Sequence, residues 1–131
     1  MSTDHRREDL FEMLARARPP RSLAAGELIF TEGDRGDAMY LVTAGSVVLS
    51  KGDEVVTSIS APATFGELAL IDDSPRSLTA RAETDIELVM ISAQLFWVLV
   101  HDTPYFAHMI MSQMAQRLRE RDAAGAQVNI T

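Results

Sequence analysis

Apolar side chains at Leu10, Phe11, Met13 and Leu14 stand among charged neighbours, a spacing that predicts a short amphipathic helix over Asp4 to Ala17. Pro19-Pro20 ends it. From Leu23 to Ile59 the pattern changes to short apolar runs: Leu28-Ile29-Phe30, Met39-Tyr40-Leu41-Val42, Val47-Val48-Leu49 and Val55-Val56 leading to Ile59. Glycine turns separate them, at Gly33 to Asp37, Ala44-Gly45 and Lys51-Gly52-Asp53. Short β-branched strands at regular spacing predict a compact antiparallel barrel or sandwich. Strand-like segments resume at Leu78 to Ala82 and Ile86 to Ile91.

After Ser92 the period changes again. Ala93 to His101 is apolar on most sides and predicts a mostly buried helix. Pro104 suits the first position of a further helix, along which Phe106, Met109, Ile110, Met114 and Leu118 follow helical spacing. The expected architecture is α+β and mainly β: an antiparallel, jelly-roll-like β-roll with an N-terminal helix and two C-terminal helices. As one domain over residues 1–131 it divides into a helix (1–20), the roll (21–92), the C-terminal helices (93–122) and a tail (123–131).

The segment Phe65 to Ala82 interrupts the strands and carries the candidate chemistry. Gly66 leads into a helix start, whose free N–H groups and positive dipole end suit an anion. Arg76, after a Ser-Pro turn, adds a forked and permanently charged donor. Glu67 would repel a phosphate, yet it accepts from a hydroxyl. A ligand with one phosphate charge beside a sugar hydroxyl meets all three conditions, which describes a nucleotide. A bland reading of Glu67 is available too, because Thr64-x-x-Glu67 fits a capping box.

Composition narrows the field. The net charge of −7 argues against a self-contained DNA binder, since such binding draws on basic residues. The absence of cysteine excludes disulfides and thiolate metal sites. The charged N-terminus is unlike a secretory signal, and the longest apolar run, Ala93 to Val100, is too short to span a bilayer. The expectation is a cytoplasmic protein without membrane contact. His5, His101 and His108 form no ligand set, and Asp34, Asp37, Asp72 and Asp73 follow no calcium-loop spacing, so no metal is expected. No nucleophile motif or paired-carboxylate site points to catalysis. Arg35-Gly36-Asp37 reads as a turn.

The run Gly26-Glu27-x-Ile29-Phe30-x-Glu32-Gly33-Asp34-x-Gly36-Asp37-x-x-Tyr40-x-Val42-x-x-Gly45-x-Val47 resembles the signature of cyclic nucleotide-binding domains. Phe65 to Leu70 and Pro75-Arg76-Ser77 resemble that family's phosphate-binding cassette, here spanning residues 65–82. The resemblance implies backbone contacts to ligand at Gly66, Leu68 and Ala69. It implies a ribose hydroxyl on Glu67, the cyclic phosphate on Arg76 and a phosphate or guanine contact from Ser77. Arg117 and Arg121 match the helix that closes over the base in that family, although solvated helix-end charges explain them better than base contacts do. Leu78 stands where the family usually has a small residue, and its size bears on the width of the pocket.

The implied function is a regulatory sensor of a cyclic purine nucleotide, cAMP rather than cGMP, with no cofactor beyond that ligand. It passes occupancy through the final helix to a partner protein or a second copy. No helix-turn-helix follows in this sequence, so the expectation is a stand-alone sensor without direct DNA binding. The alternative is an interaction scaffold that keeps the fold and has lost the nucleotide.

Overall fold

A computed structural model describes residues 4–124, with side chains described for residues 6–120. Two compact units emerge, one reaching Trp97 and one starting at Val98.

The first unit opens with α1 (Asp4–Ala17), followed by β1 (Arg21–Leu23), β2 (Leu28–Phe30), β3 (Ala38–Ala44), β4 (Ser46–Lys51), β5 (Glu54–Ser60) and β6 (Ala63–Phe65). A one-turn helix, α2 (Leu68–Ile71), precedes β7 (Thr79–Ala82) and β8 (Ile86–Ser92). The strands form two antiparallel four-stranded sheets, ordered β1-β8-β3-β6 and β2-β7-β4-β5. No strand pairing joins them into a closed barrel among the described residues, so the roll is a pair of facing sheets. Between them lies a core that includes Tyr40, Val42, Val47, Phe65, Ala80, Ile86 and Leu88, with Phe30 and Leu49 packed against it.

Strand side chains alternate between faces, and β3 is buried on both. Tyr40 and Val42 enter the core, while Met39 and Leu41 occupy the other face, fully buried. α1 lies against β3, and its buried stripe is Leu10, Phe11 and Leu14. Met13, off that stripe, is exposed. β5 forms one sheet edge, with Val55 and Val56 exposed and a register shift against β4 between Leu49 and Ser50. An irregularity of this kind twists an edge and discourages further strand pairing.

The helix α3 (Ala93–Asp102) departs from its expected burial. Phe96 and Leu99 are buried, yet Trp97 and Val98 are each 48% exposed. Its composition is apolar all round, but only one stripe is covered. The second unit contains α4 (Pro104–Ala124), which runs past residue 123, where the tail was expected to begin. The rest of that expected tail lies outside the described residues. On α4, Phe106, Met109 and Ile110 are buried, whereas Leu118 is 57% exposed although it shares their spacing.

Candidate functional site

Between β6 and β7 the chain makes one compact excursion. Gly66 leaves β6 with φ +88°, a left-handed conformation that glycine adopts without a Cβ penalty. Glu67 then takes the N-cap position of α2 in helical conformation, with no side-chain cap bond. Thr64 is inside β6, paired with Leu41, so the capping-box reading of Thr64 and Glu67 is wrong: the helix starts one residue after the glutamate. Glu67 is fully buried, the largest charged side chain to be so among the described residues. Leu68 is exposed, while Ala69 and Leu70 are buried. Asp72 closes the helix through its N–H to Leu68 O at 3.1 Å. Asp73 follows with φ +53°, and Ser74 Oγ donates to the Asp72 carboxylate. Pro75 then delivers Arg76.

Arg76 is 5% exposed, and its guanidinium is held on several sides. Nη1 donates to Gly66 O at 2.8 Å and Nη2 to Ala38 O at 2.5 Å. Its Cζ lies 4.0 Å from the centre of the Phe30 ring and 5.9 Å from that of Tyr40. Nε is shielded from solvent and has no hydrogen-bond partner among the described residues. The backbone is fixed as well, because Gly33 N–H donates to Arg76 O and Arg76 N–H donates to Asp34 O, both at 2.8 Å. An isolated bridge pairs Arg35 with Pro75. The glycine turn after β2 is therefore the holder of the cassette's arginine.

Two glycines give the guanidinium its room. A Cβ on Gly36 would stand 2.3 Å from Ala69 Cβ and 3.1 Å from Arg76 Cζ and Nε. A Cβ on Gly66 would stand 3.0 Å from Arg76 Nη1. Burial pulls the Arg76 guanidinium below the usual arginine value, while Tyr40, Asp37, Asp34 and Glu67 push it back up. Arginine stays protonated through such shifts, so the site keeps a fixed positive charge in a low-dielectric setting. The same burial raises the Tyr40 phenol, partly offset by Arg76.

The fold thus brings Gly66, Glu67, Ala69 and Arg76 to one place, and Leu68 follows on the exposed side of α2. Ser77 is exposed and Leu78 half-buried in the turn before β7. Arg117 is half-buried on α4, in the second unit, and the Arg121 side chain lies outside the described residues. Sequence reasoning missed Phe30, Ala38 and Gly36 as neighbours of the arginine. The available signal was the second motif itself: glycines at 33 and 36 invite close approach by another segment. Among the described residues no group of three or more acidic or histidine side chains could hold a metal ion.

Comparison with known proteins places this geometry. The sequence model of the cyclic nucleotide-binding domain matches residues 20–103. The cyclic AMP receptor protein of Thermus thermophilus is 37% identical over 102 residues, which cover 74% of this chain and 47% of that relative. The chain therefore spans about half the length of that curated relative. The crystal structure of the Thermus thermophilus catabolite activator protein superposes with a TM-score of 0.77 at 30% identity, covering 88% of this chain and 57% of that one. A structure described as "A cyclic-GMP-dependent signalling pathway regulates bacterial phytopathogenesis" gives a TM-score of 0.73 at 28% identity, covering 92% of this chain and 95% of that one.

Proposed function

Since the chain belongs to the cyclic nucleotide-binding domain family, we propose that it is a sensor of a cyclic purine nucleotide, cAMP in preference to cGMP. The cyclic phosphate lies on Arg76 and on the backbone of Gly66 to Ala69, and the ribose 2′-hydroxyl donates to Glu67. Ser77 and Leu78 line the way to the base, and Arg117 and Arg121 belong to the helix that answers the ligand. The observation that carries this reading is a buried arginine and a buried glutamate in one glycine-led turn. The combination of a cation for phosphate with a carboxylate for a hydroxyl is what a cyclic nucleotide requires. The preference for cAMP is drawn from the likeness to a cyclic AMP receptor protein.

Occupancy is passed to a partner protein, or to a second copy, through the C-terminal helix. Ligand biases that helix only by binding its two positions with different affinity. The protein acts in the cytoplasm as a regulator and not as a catalyst; no described helix is long and apolar enough to cross a membrane. One observation favours the alternative of a scaffold that has lost its ligand: the Arg76 Nη donors already bind the carbonyls of Gly66 and Ala38.

Calorimetry with cAMP and cGMP on wild type and Arg76→Ala separates the two. Loss of a charge-assisted bond costs about 1.5–3 kcal/mol, so the variant is expected to bind roughly ten- to a hundredfold more weakly. Equal affinities would remove Arg76 from the site, and absence of heat with wild type would favour the scaffold.

A further inference from the structure

Phe30 ends β2 as a half-buried aromatic residue, and its ring belongs to a cluster with Tyr40 at 6.0 Å and Phe65 at 6.1 Å between centroids. Tyr40 and Phe65 stack on each other at 5.5 Å. Arg76 caps this cluster, with Cζ 4.0 Å from the Phe30 centroid, well inside the range in which a cation is drawn to a π face. The remaining restraints on the guanidinium leave one freedom. Bonds from Nη1 and Nη2 to Gly66 O and Ala38 O fix its outer end. Nε, buried and without a hydrogen bond, does nothing to fix the inner end. A buried N–H without an acceptor favours any tilt that finds one. The Phe30 ring faces the guanidinium, and Gly36 lies so near that a Cβ there would stand 3.1 Å from Nε.

We propose that Phe30 is a positioning residue for nucleotide binding: its ring holds the plane of the Arg76 guanidinium so that the donors left over by Gly66 and Ala38 meet the cyclic phosphate together. This rests on the nucleotide reading given above. Phe30 itself makes no contact with ligand in this scheme. It acts through the arginine, and any flat aromatic ring at position 30 performs the same task. An aliphatic side chain of similar bulk fills the space without orienting the charge.

The test uses wild type, Phe30→Leu and Phe30→Tyr. Calorimetry with cAMP reads affinity, and the relaxation order parameter of Arg76 Nε–H in ligand-free protein reads how firmly the guanidinium is held. Phe30→Leu is expected to weaken cAMP by about two- to thirtyfold and to lower the Arg76 Nε–H order parameter, with the amide spectrum of β3 and β8 retained. Phe30→Tyr is expected to restore both. Wild-type affinity in Phe30→Leu would overturn the proposal while leaving the nucleotide reading intact. So would a loss of affinity with the Nε–H order parameter unchanged, since that is the behaviour of a merely structural residue. If Phe30→Leu fails to fold, the conclusion is drawn from Phe30→Tyr and Phe30→Trp, and a tyrosine that keeps the fold but loses cAMP would contradict it. Wild type that binds neither cyclic nucleotide overturns the nucleotide reading, and this role with it.

Discussion

At the scale of single residues, the proposed site would divide its labour between Arg76 and Glu67, both of them buried. The carboxylate has a ligand-specific consequence. If the ribose 2′-hydroxyl donates to Glu67, the wild type is expected to prefer cAMP to its 2′-deoxy analogue by roughly ten- to a hundredfold, the worth of a hydrogen bond to a charged group. Glu67→Ala is expected to weaken cAMP and erase most of that preference, which competition binding of the two ligands measures. A preference that survives the substitution would place the hydroxyl elsewhere. That Arg76 comes beside Gly66 and Glu67 was legible in the sequence, because all three fall in one short glycine-led segment. The rest of the company of Arg76 was not legible. Phe30 and Gly36 lie 46 and 40 positions earlier in the chain, and nothing in local pattern says that one turn folds onto another.

At the scale of elements, α1 was legible with its bounds, since a polar helix with one apolar stripe and a Pro-Pro stop has few alternatives. The long strands were legible from their alternation and glycine turns. β1 and β6, of three residues each, are too short to show a period. Burial was harder to read than secondary structure: α3 is apolar on most sides, yet burial depends on what covers each face, and Trp97 and Val98 have no full cover. Turn chemistry yields a sharper prediction. Gly45, between β3 and β4, has φ +84°, and a Cβ there would meet Asp85 O at 2.3 Å. Gly45→Ala combines left-handed strain with a backbone clash and is expected to destabilise by roughly 2–4 kcal/mol. Denaturant unfolding checks this as a lower midpoint with unchanged slope.

The turn after β2 is tied to the β4–β5 hairpin by Lys51 Nζ on Glu32 Oε2 at 3.0 Å and by Gly52 N–H on Glu32 Oε1 at 3.3 Å. The Lys51 bond foremost, then the Gly52 bond, hold Glu32 below the usual carboxylate value. A carboxylate depressed in the folded state stabilises above its unfolded pKa, and that contribution is lost as pH falls through the folded value. Glu32→Gln is therefore expected to melt below wild type at pH 6 and to converge on it as pH falls through the folded value. Melting curves across that range test the sign: a gap that widens on acidification would contradict it.

At the scale of the whole molecule, the first unit carries the cassette with Arg76, and its two sheets place the β2–β3 turn and the cassette on each other. The second unit carries α4 and the arginines assigned to the response. A ligand that binds only the folded protein adds stability by mass action, about 2.7 kcal/mol at a hundred times its Kd. Saturating cAMP is expected to raise the melting temperature of wild type and to raise that of Arg76→Ala far less at the same concentration.

Whether a cyclic nucleotide is held by the cassette on Arg76 is decided by titrating cAMP into isotopically labelled protein and following each amide and the Arg76 Nε–H. The largest shifts are expected on Gly66 to Ala69, on Arg76 to Leu78 with the Arg76 side chain, and on Gly33 to Asp37, the turn that holds that arginine. A spectrum unchanged by cAMP and by cGMP, or one whose shifts avoid the cassette, would contradict that binding mode.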